Sequence, residues 1–201
     1  DELRGVEYEV MPDRIEAGTF LIAGALTRGD VTVEGIDINL LPAMIDKLKE
    51  AGADIESRNH SIRVRGPEKI KSVEISTQPF PGFATDFQAQ FMALLAVADG
   101  VSVISENIFE NRFMHVGELN RMGADIKMEG KTAIVRGVEK LLAAPIMATD
   151  LRASASLVLA GLAAEGVTDI HRVYHIDRGY ERIEQKFRHL GAKIKRAQVK
   201  Y

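Results

Sequence analysis

The 201-residue chain contains no cysteine, little net charge and no long apolar run, and each absence removes a class of function. Without cysteine, the chain has no disulfide, no thiolate metal site and no cysteine nucleophile. A net charge of −3 at pH 7 gives no support for nucleic-acid binding. The longest apolar stretch, residues 153–164, is shorter than the roughly 18 residues that a membrane helix needs. The remaining composition is that of a globular protein.

Motifs for nucleotides and metals are missing as well. Neither GxGxxG nor GxxxxGK[ST] occurs in the sequence. His171 and His175 are four residues apart, but they lie in a strand-to-loop segment and therefore do not share a helical face. We interpret His115 as a packing or hydrogen-bonding residue. No spacing of serine, histidine and aspartate predicts a hydrolase triad, so the chemistry must be sought elsewhere in the pattern.

One pair of motifs occurs three times. The first members are LIAGALTRGDVTVEG, FMALLAVADGVSVIS and LVLAGLAAEGVTDIH, and the second members are LPAMIDKLKEAGADIE, RFMHVGELNRMGADIK and YERIEQKFRHLGAKIK. Each copy predicts an apolar helix, a short strand, an amphipathic helix and another strand, with a glycine ending each helix. These glycines are Gly29, Gly52, Gly100, Gly123, Gly166 and Gly191, spaced 23, 23 and 25 residues apart within the three pairs. The repeat predicts an assembly of three like units with helices inside and sheets outside.

The helix and strand boundaries follow from the apolar periodicity. The predicted helices are 16–28, 40–51, one starting at 85, 113–122, 150–164 and 178–189. The predicted strands are 4–10, 53–57, 61–65, 72–76, 101–105, 124–128, 132–136, 144–147, 167–171 and 192–195, together with the short β-branched strand of the first repeat.

The repeats differ at the starts of their first helices. Fourteen residues before the first glycine of each pair lie Ile15, Asp86 and Arg152. Asp86 and Asp150 each follow a threonine, so either aspartate could be an N-cap, which is the commonest role for such a residue. Arg152 does not fit that pattern, because a cation in the first helical turn opposes the helix dipole. We therefore expect Arg152 to have an acidic partner or to bind an anion.

The loops after the central strands differ too. Arg112 and Arg178 occupy corresponding loop-to-helix junctions in the second and third repeats, whereas the first repeat has no basic residue there. A solvated arginine is the ordinary interpretation of either one alone. Because the planar guanidinium matches carboxylate and phosphate, three arginines at related positions favour an anion site.

Five longer segments resemble a single family: PDRIEAGTFLIAGAL, FATDFQAQFMALL, FENRFMHVGELNRMGA, VEKLLAAPIMATDLRASASLVLAGL and HIDRGYERIE. They resemble the C-terminal half of the bacterial enolpyruvyl transferases that act on UDP-N-acetylglucosamine, over nearly the whole chain. The resemblance implies an α/β fold, an inside-out barrel of three βαβαββ-type repeats at about 11–76, 77–137 and 138–196 of a single domain, 1–201. It also implies that the N-terminal catalytic domain, with its cysteine loop, is absent.

The resemblance implies a reaction and its participants. An enolpyruvyl group would pass from phosphoenolpyruvate to the 3′-hydroxyl of UDP-N-acetylglucosamine in the cytoplasm, as the first committed step of peptidoglycan precursor synthesis. No metal or organic cofactor is implied, and no nucleic-acid or membrane partner is expected. Asp86 matches the aspartate that contacts the hydroxyl and is the expected base. Arg112, Arg152 and Arg178 match arginines of the enolpyruvyl pocket, where they are expected to hold carboxylate and phosphate.

Four further residues complete the expected site. Ile108 matches a position that contacts the sugar nucleotide, and Phe109 is expected to pack near the sugar. Asp150 is expected to orient an arginine, and Asp13 is expected to support the edge of the cleft. We expect the chain to be inactive without the missing domain.

Two alternatives remain beside this interpretation. The chain could belong to the shikimate-pathway relative, although the strings ENRFMHV and ATDLRASAS disfavour that substrate. It could also be a binding or scaffold module that uses the repeat without chemistry. The presence of Asp86 together with all three arginines argues against the second alternative.

Overall fold

Helices and strands alternate along residues 3–197, the part of the chain that the structure, a computed structural model, describes. The helices are α1 (Arg14–Leu26), α2 (Pro42–Glu50), α3 (Gln88–Leu95), α4 (Val116–Arg121), α5 (Leu151–Ala163) and α6 (Ile183–His189). The strands are β1 (Asp30–Glu34), β2 (Asp54–Arg58), β3 (Ser61–Arg65), β4 (Glu74–Ser76), β5 (Val101–Ser105), β6 (Asp125–Glu129), β7 (Thr132–Arg136), β8 (Pro145–Met147) and β9 (Asp169–His171). Short 3₁₀ helices cover Ile38–Leu40, Thr85–Phe87 and Val173–Arg178. Residues 1–2 and 198–201 of the predicted domain lie outside the described residues.

Three apolar helices occupy the centre of the molecule. Helix α3 is buried along its whole length, and α1 and α5 are buried over most of theirs. Helices that are apolar on every side need protein around them on every side, which explains why these three pack against one another. The strands lie outside them and alternate between buried and exposed residues, as in β3 and β7. The predicted arrangement of helices inside and sheets outside is confirmed. None of the described helices has both the length and the apolar character of a membrane span.

The three sheets follow one plan that is complete only in the second repeat. There the strand order is β4-β5-β7-β6, with β4 parallel to β5 and the other pairs antiparallel. The first sheet, β1-β3-β2, has no counterpart of β4 within residues 3–197. The third, β8-β9, retains the parallel pair and has no described counterpart of β6 and β7. Although β4 precedes the predicted repeat boundary at residue 76, its partner places it in the second sheet.

Two predicted strands are wrong. Residues 4–10 and 192–195 have no strand partner among the described residues. Val6, Tyr8 and Val10 alternate with polar residues, yet their side chains are largely exposed. Alternation predicts a strand only where a neighbouring strand accepts the backbone hydrogen bonds and a layer covers the apolar face. Neither segment meets that condition.

The predicted glycine stops are confirmed at Gly52, Gly123 and Gly191, which directly follow the C-cap residues of α2, α4 and α6 and have φ angles between +89° and +102°. Gly100 and Gly166 also have positive φ angles, of +105° and +101°, but α3 has already ended at Leu95 and α5 at Ala163, so these two glycines do not end the helices. The prediction for Gly29 is wrong, because Arg28 takes the positive φ of +55° instead. Helix α1 has already ended there, since the Thr27 hydroxyl donates to the Ala23 carbonyl at 2.8 Å and caps it.

Two further glycines bring the chain against the ends of the central helices. Gly66 follows β3 and Gly137 follows β7, and their N–H groups donate to the carbonyls of Gly29 and Gly100 at 2.8 and 3.0 Å. A Cβ atom on Gly137 would overlap the backbone carbonyl of Ala98. Only a residue without a side chain allows the sheet to meet the helix end this closely.

We expect Gly137→Ala to lower the free energy of unfolding by roughly 1–3 kcal/mol, because the backbone must shift to make room for the methyl group. Gly117→Ala is the matched control, since a Cβ there meets no atom within 4 Å and alanine favours the α4 helix. Urea unfolding of both variants measures the difference. Equal midpoints would show that the approach to Ala98 is not tight.

Candidate functional site

The site is centred on Asp86, whose carboxylate receives two arginines from different parts of the chain. Its Oδ1 accepts a hydrogen bond from Arg112 Nη2 at 2.9 Å and another from Arg152 Nε at 3.0 Å. The arginine side chains are 16% and 18% exposed and the Asp86 side chain is 35% exposed, so both ion pairs are partly shielded from water. Among the described residues, no hydrogen-bond donor reaches Oδ2. One carboxylate oxygen is therefore fixed and the other is available to a ligand.

Helix packing brings the site together. Asp86 lies in the 3₁₀ turn that opens α3, and Arg152 lies in the first turn of α5. These two helices pack side by side, so repeat-equivalent positions fourteen residues before the helix-ending glycines become neighbours. The expectation that Arg152 has an acidic partner is confirmed. Asp86 supplies the negative charge that offsets the unfavourable interaction of Arg152 with the α5 dipole.

The capping interpretation holds for Asp150 and fails for Asp86, and Asp13, for which it was not predicted, is also a cap. Asp150 caps α5 by accepting from the backbone N–H groups of Arg152 and Ala153, each at 2.9 Å. Asp13 caps α1 in the same way. Asp86 caps nothing, because Ala84 occupies the cap position of its 3₁₀ turn and no side chain there bonds to the backbone. The structure thus separates Asp86 from the ordinary caps.

Opposing effects act on the Asp86 carboxyl. Burial raises its pKa, but the charges and hydrogen bonds of Arg152 and Arg112 outweigh burial and hold the pKa below its usual range. The group is therefore ionised at neutral pH and can accept a proton. The same arginines make Asp86 a weaker base for as long as they are hydrogen-bonded to its carboxylate.

A buried polar chain lies behind Arg152. The Tyr180 hydroxyl contacts Arg152 and shares a 2.9 Å hydrogen bond with Thr19 Oγ1. Gln90 Nε2 donates to the same Thr19 oxygen at 3.4 Å. These residues come from α1, α3 and the third repeat, and all are almost completely buried. Sequence analysis missed them, because a single polar residue within an apolar helix has no characteristic spacing.

A second polar cluster lies behind Arg112. Arg112 Nη1 donates to Thr85 Oγ1 at 3.1 Å, and Thr85 Oγ1 donates to Glu106 Oε2 at 2.8 Å. Glu106 is only 2% exposed and was not predicted. One signal could have found it: Ser102, Ile104 and Glu106 follow the strand alternation, which puts Glu106 on the inward face of the sheet.

The other predicted residues, Ile108, Phe109 and Arg178, differ in their contacts with this centre. Ile108 and Phe109 are 44% and 61% exposed on the loop before α4. The Arg112 guanidinium lies over the Phe109 ring at 4.9 Å from its centroid. Arg178 is exposed at the end of its 3₁₀ helix and makes no hydrogen bond or ion pair within the described part of the chain. The structure thus joins Asp86 to two of the three predicted arginines.

His115 is buried beside the site and is not positioned as a metal ligand. It is 1% exposed, and its Nε2 has no partner among residues 3–197. Burial lowers its pKa to about 4, Asp150 opposes that shift and Arg112 adds to it. His115 is therefore neutral at physiological pH. Across the described residues, no group of three histidine or acidic side chains could hold a metal ion.

Comparison with known proteins identifies relatives of this site's scaffold. A family model described as EPSP synthase (3-phosphoshikimate 1-carboxyvinyltransferase) matches residues 1–187. The chain is 63% identical over 195 residues to a UDP-N-acetylglucosamine 1-carboxyvinyltransferase of Trichlorobacter lovleyi, a match that covers 97% of this chain and 46% of that protein. It is 60% identical to the protein of the same name from Geobacter metallireducens, with 97% and 47% covered. The chain therefore spans about half the length of the curated relatives it matches.

Solved structures share the architecture. The enolpyruvyl transferase NikO from Streptomyces tendae superposes with a TM-score of 0.84 at 29% identity, covering 92% of this chain and 44% of that one. An EPSP synthase from Acinetobacter baumannii superposes with a TM-score of 0.63 at 19% identity, covering 81% of this chain and 39% of that one. At that identity, the second likeness concerns the fold alone.

Asp86→Asn should increase the affinity of the chain for inorganic phosphate by roughly tenfold, because the charge that occupies both guanidiniums is removed. Isothermal titration calorimetry with phosphate measures the change, and added salt should reduce it. Asp125→Asn is the control, since it removes an exposed carboxylate on β6 that has no part in the site. Unchanged or weaker phosphate binding by Asp86→Asn would show that Asp86 does not compete with phosphate for the two arginines.

His115 should make folding sensitive to acid. Its folded pKa of about 4 lies below the ordinary value of 6.5, so the unfolded chain binds the proton more readily. This contribution to stability is complete above pH 6.5 and is lost as the pH falls towards 4. At 1.36 kcal/mol per pKa unit, the loss is about 3 kcal/mol.

Urea unfolding between pH 7.5 and 4 tests this prediction with His115→Phe, which should lose that part of the pH dependence. His189→Phe, at an exposed position on α6, should retain it. A parallel pH dependence in all three proteins would show that His115 is not held neutral.

Proposed function

The chain belongs to the EPSP synthase family of enolpyruvyl (1-carboxyvinyl) transferases, and we propose that it is the C-terminal half of an enzyme that transfers enolpyruvate to UDP-N-acetylglucosamine. The donor is phosphoenolpyruvate, the acceptor is the 3′-hydroxyl of the sugar, and the product enters peptidoglycan precursor synthesis in the cytoplasm. The names of the relatives at 57–63% identity support this acceptor over shikimate 3-phosphate. We propose that residues 1–201 form one domain of three repeats, and that an N-terminal domain completes the active site.

The observation that supports this proposal is the Asp86 carboxylate, with one oxygen held by two arginines and the other without a hydrogen-bond donor among residues 3–197. An alcohol needs a base to accept its proton as it attacks, and an ionised carboxylate next to the hydroxyl can accept it. A substrate with carboxylate and phosphate groups needs cations beside that base. The cluster offers both within hydrogen-bond distance of each other.

The chemistry then runs in two steps. The sugar oxygen adds to C2 of phosphoenolpyruvate while its proton passes to Asp86, and C3 receives a proton from a donor in the other domain. In the second step, C3 returns a proton to the group in the other domain, the electron pair of that C–H bond forms the double bond again, and phosphate leaves from C2. Arg112 and Arg152 hold the substrate anions through both steps, and Arg178 joins them from the third repeat.

The ion pairs of the free chain give the arginines a second role. Each guanidinium that moves from Asp86 to a substrate anion removes one cause of the lowered pKa of that carboxyl. Binding of phosphoenolpyruvate therefore makes Asp86 a stronger base at the moment when the hydroxyl needs one. The substrate competes for the arginines and in doing so activates the base.

The roles that we propose for the remaining residues are those that the family resemblance implies for their positions. Ile108 and Phe109, both exposed on the loop before α4, contact the sugar nucleotide. Asp150 keeps Arg152 in place by capping the first turn of α5. Asp13 supports the edge of the cleft by capping α1.

The chain alone should release no phosphate from phosphoenolpyruvate and UDP-N-acetylglucosamine. One open face neither excludes water nor fixes the hydroxyl against the reacting carbon. Adding the separately expressed N-terminal half of the Trichlorobacter lovleyi relative should produce phosphate release. In that mixture, Asp86→Asn should lower turnover at least about 100-fold while the unfolding midpoint changes little.

A phosphate-release assay checks both statements, and Asp125→Asn serves as the control for loss of an acidic residue. Sustained release by the chain alone would contradict the two-half arrangement. Near-normal turnover with Asp86→Asn in the mixture would contradict the assignment of the base.

A further inference from the structure

Glu106 is a buried carboxylate outside the residues assigned to the reaction. It follows β5 at the start of the loop that leads to Arg112, and it is 2% exposed. A buried carboxylate is costly unless its oxygens are well supplied with hydrogen bonds. Within the described part of the chain, Glu106 accepts four hydrogen bonds. Each of them either fixes the loop or connects Glu106 with Arg112.

Oxygen Oε1 organises the backbone of the loop. It accepts from the N–H groups of Ile108 at 2.9 Å and Phe109 at 3.0 Å, and from the Thr77 hydroxyl at 2.8 Å. Thr77 Oγ1 in turn accepts from the N–H of Asn107 at 2.8 Å. Three consecutive backbone N–H groups are thus anchored, directly or through Thr77, to one carboxylate.

Oxygen Oε2 reaches Arg112 through Thr85. An ionised carboxylate only accepts hydrogen bonds, so the single hydroxyl proton of Thr85 is committed to Glu106. The lone pairs of Thr85 are then directed to a donor, and Arg112 Nη1 occupies that position at 3.1 Å. The Thr77 hydroxyl is oriented in the same way: it donates its proton to Glu106 and accepts a hydrogen bond from the backbone N–H of Asn107. The charge of Glu106 sets the direction of both hydroxyl groups.

We propose that Glu106 is a positioning residue that holds Arg112 in the orientation needed to bind the anionic substrate, an inference that rests on the proposed function. Arg112 has three fixed neighbours: Asp86 at Nη2, Thr85 at Nη1 and the Phe109 ring at 4.9 Å. Glu106 controls two of them, Thr85 through the hydroxyl polarity and Phe109 through its backbone. When substrate displaces Asp86, Thr85 and Phe109 remain to orient the guanidinium.

Glu106→Gln removes the charge of the side chain while keeping its shape. Its carbonyl oxygen can keep the bonds to the loop, but its NH₂ group presents a donor to Thr85 where the carboxylate presented an acceptor. The Thr85 hydroxyl must then turn to accept that bond, so its proton no longer points to position 106 and its lone pairs are no longer held towards Arg112, which weakens their hydrogen bond. Thr85→Val removes the same link from the other side and leaves the loop bonds of Glu106 intact. If Glu106→Gln and Thr85→Val disrupt the same connection between Glu106 and Arg112, the effect of the double variant should be no larger than that of either single variant.

The test combines two measurements on Glu106→Gln, Thr85→Val and the double variant. The first is the heteronuclear NOE of the Arg112 Nε–Hε signal in the ¹⁵N-labelled chain, assigned by its disappearance in Arg112→Lys. The second is the KM for phosphoenolpyruvate and the kcat of the mixture with the N-terminal half of the relative. Glu110→Gln is the matched control, because Glu110 is an exposed residue of the same loop and loses the same charge.

The expected result is a rigid Arg112 signal in the wild type and in Glu110→Gln, and a mobile signal in the other three variants. Their KM for phosphoenolpyruvate should rise about tenfold with a smaller change in kcat, and the double variant should match the single ones. Glu106→Gln that lowers the melting temperature but leaves Arg112 rigid and KM unchanged would overturn the proposal. If Glu106→Gln does not fold, Thr85→Val decides: a rigid Arg112 and an unchanged KM refute the proposal, and a mobile Arg112 supports it.

Failure of the proposed function gives a different result. In that case even the wild-type mixture shows no transfer, and the NMR measurement alone decides whether Glu106 positions Arg112. Mobility of Arg112 in Glu106→Gln and Thr85→Val then supports the positioning role, and continued rigidity overturns it.

Discussion

The side-by-side packing of α3 and α5 is the constraint on which the site depends. Each helix is apolar on all sides and must be surrounded by protein, so the central helices of the repeats pack against one another. Because the repeats are related, the helices present equivalent turns to each other, and the first turn of α3 meets the first turn of α5. Asp86 and Arg152 become an ion pair for that reason, although 66 residues separate them in sequence. The polar chain of Thr19, Gln90 and Tyr180 extends this connection into the first repeat.

The charges of the four ionic side chains at the centre of the site nearly cancel. Two guanidiniums, Arg112 and Arg152, are balanced by two carboxylates, Asp86 and Glu106, in largely buried surroundings. Buried charges persist when they are paired or well supplied with hydrogen bonds: Asp86 is ion-paired with both arginines, and Glu106 accepts hydrogen bonds from neutral groups. The two carboxylates differ in one respect. Glu106 is closed off by four hydrogen bonds, whereas Asp86 keeps one oxygen without a donor among the described residues. That difference makes Glu106 suited to a supporting position and Asp86 suited to meeting a substrate.

The repeats share one plan, and their departures from it carry the function we propose. Position 86 is an aspartate where the third repeat has Arg152 and the first has Ile15, so related positions in the three units hold an acidic, a basic and an apolar residue. The loop before α4 has Arg112, whereas the corresponding loop of the first repeat has no basic residue. A repeated scaffold places equivalent positions near one another, and the sequence differences at those positions build an asymmetric site. The relatives extend this scaffold with a second half of similar length.

The sequence by itself determined the threefold repeat, most helix and strand positions, and the helix-ending glycines at three of six positions. Each of these follows from local rules: apolar periodicity, β-branched runs and the backbone freedom of glycine. It also singled out Asp86 and Arg152, because an acid and a base at repeat-equivalent helix starts are unusual. Local rules failed for residues 4–10 and 192–195, where alternation is present and a pairing strand is not. They could not decide whether Asp86 caps a helix or pairs with arginines, because both roles have the same local sequence.

Only the tertiary structure made that decision. It put two arginines on Asp86 Oδ1, and it revealed Glu106, Thr85 and Tyr180 behind them. These contacts join residues that are distant in sequence, and the pair of Asp86 with Arg152 joins two repeats. Such information is absent from periodicity and spacing, because it arises when helices and loops distant in sequence come into contact.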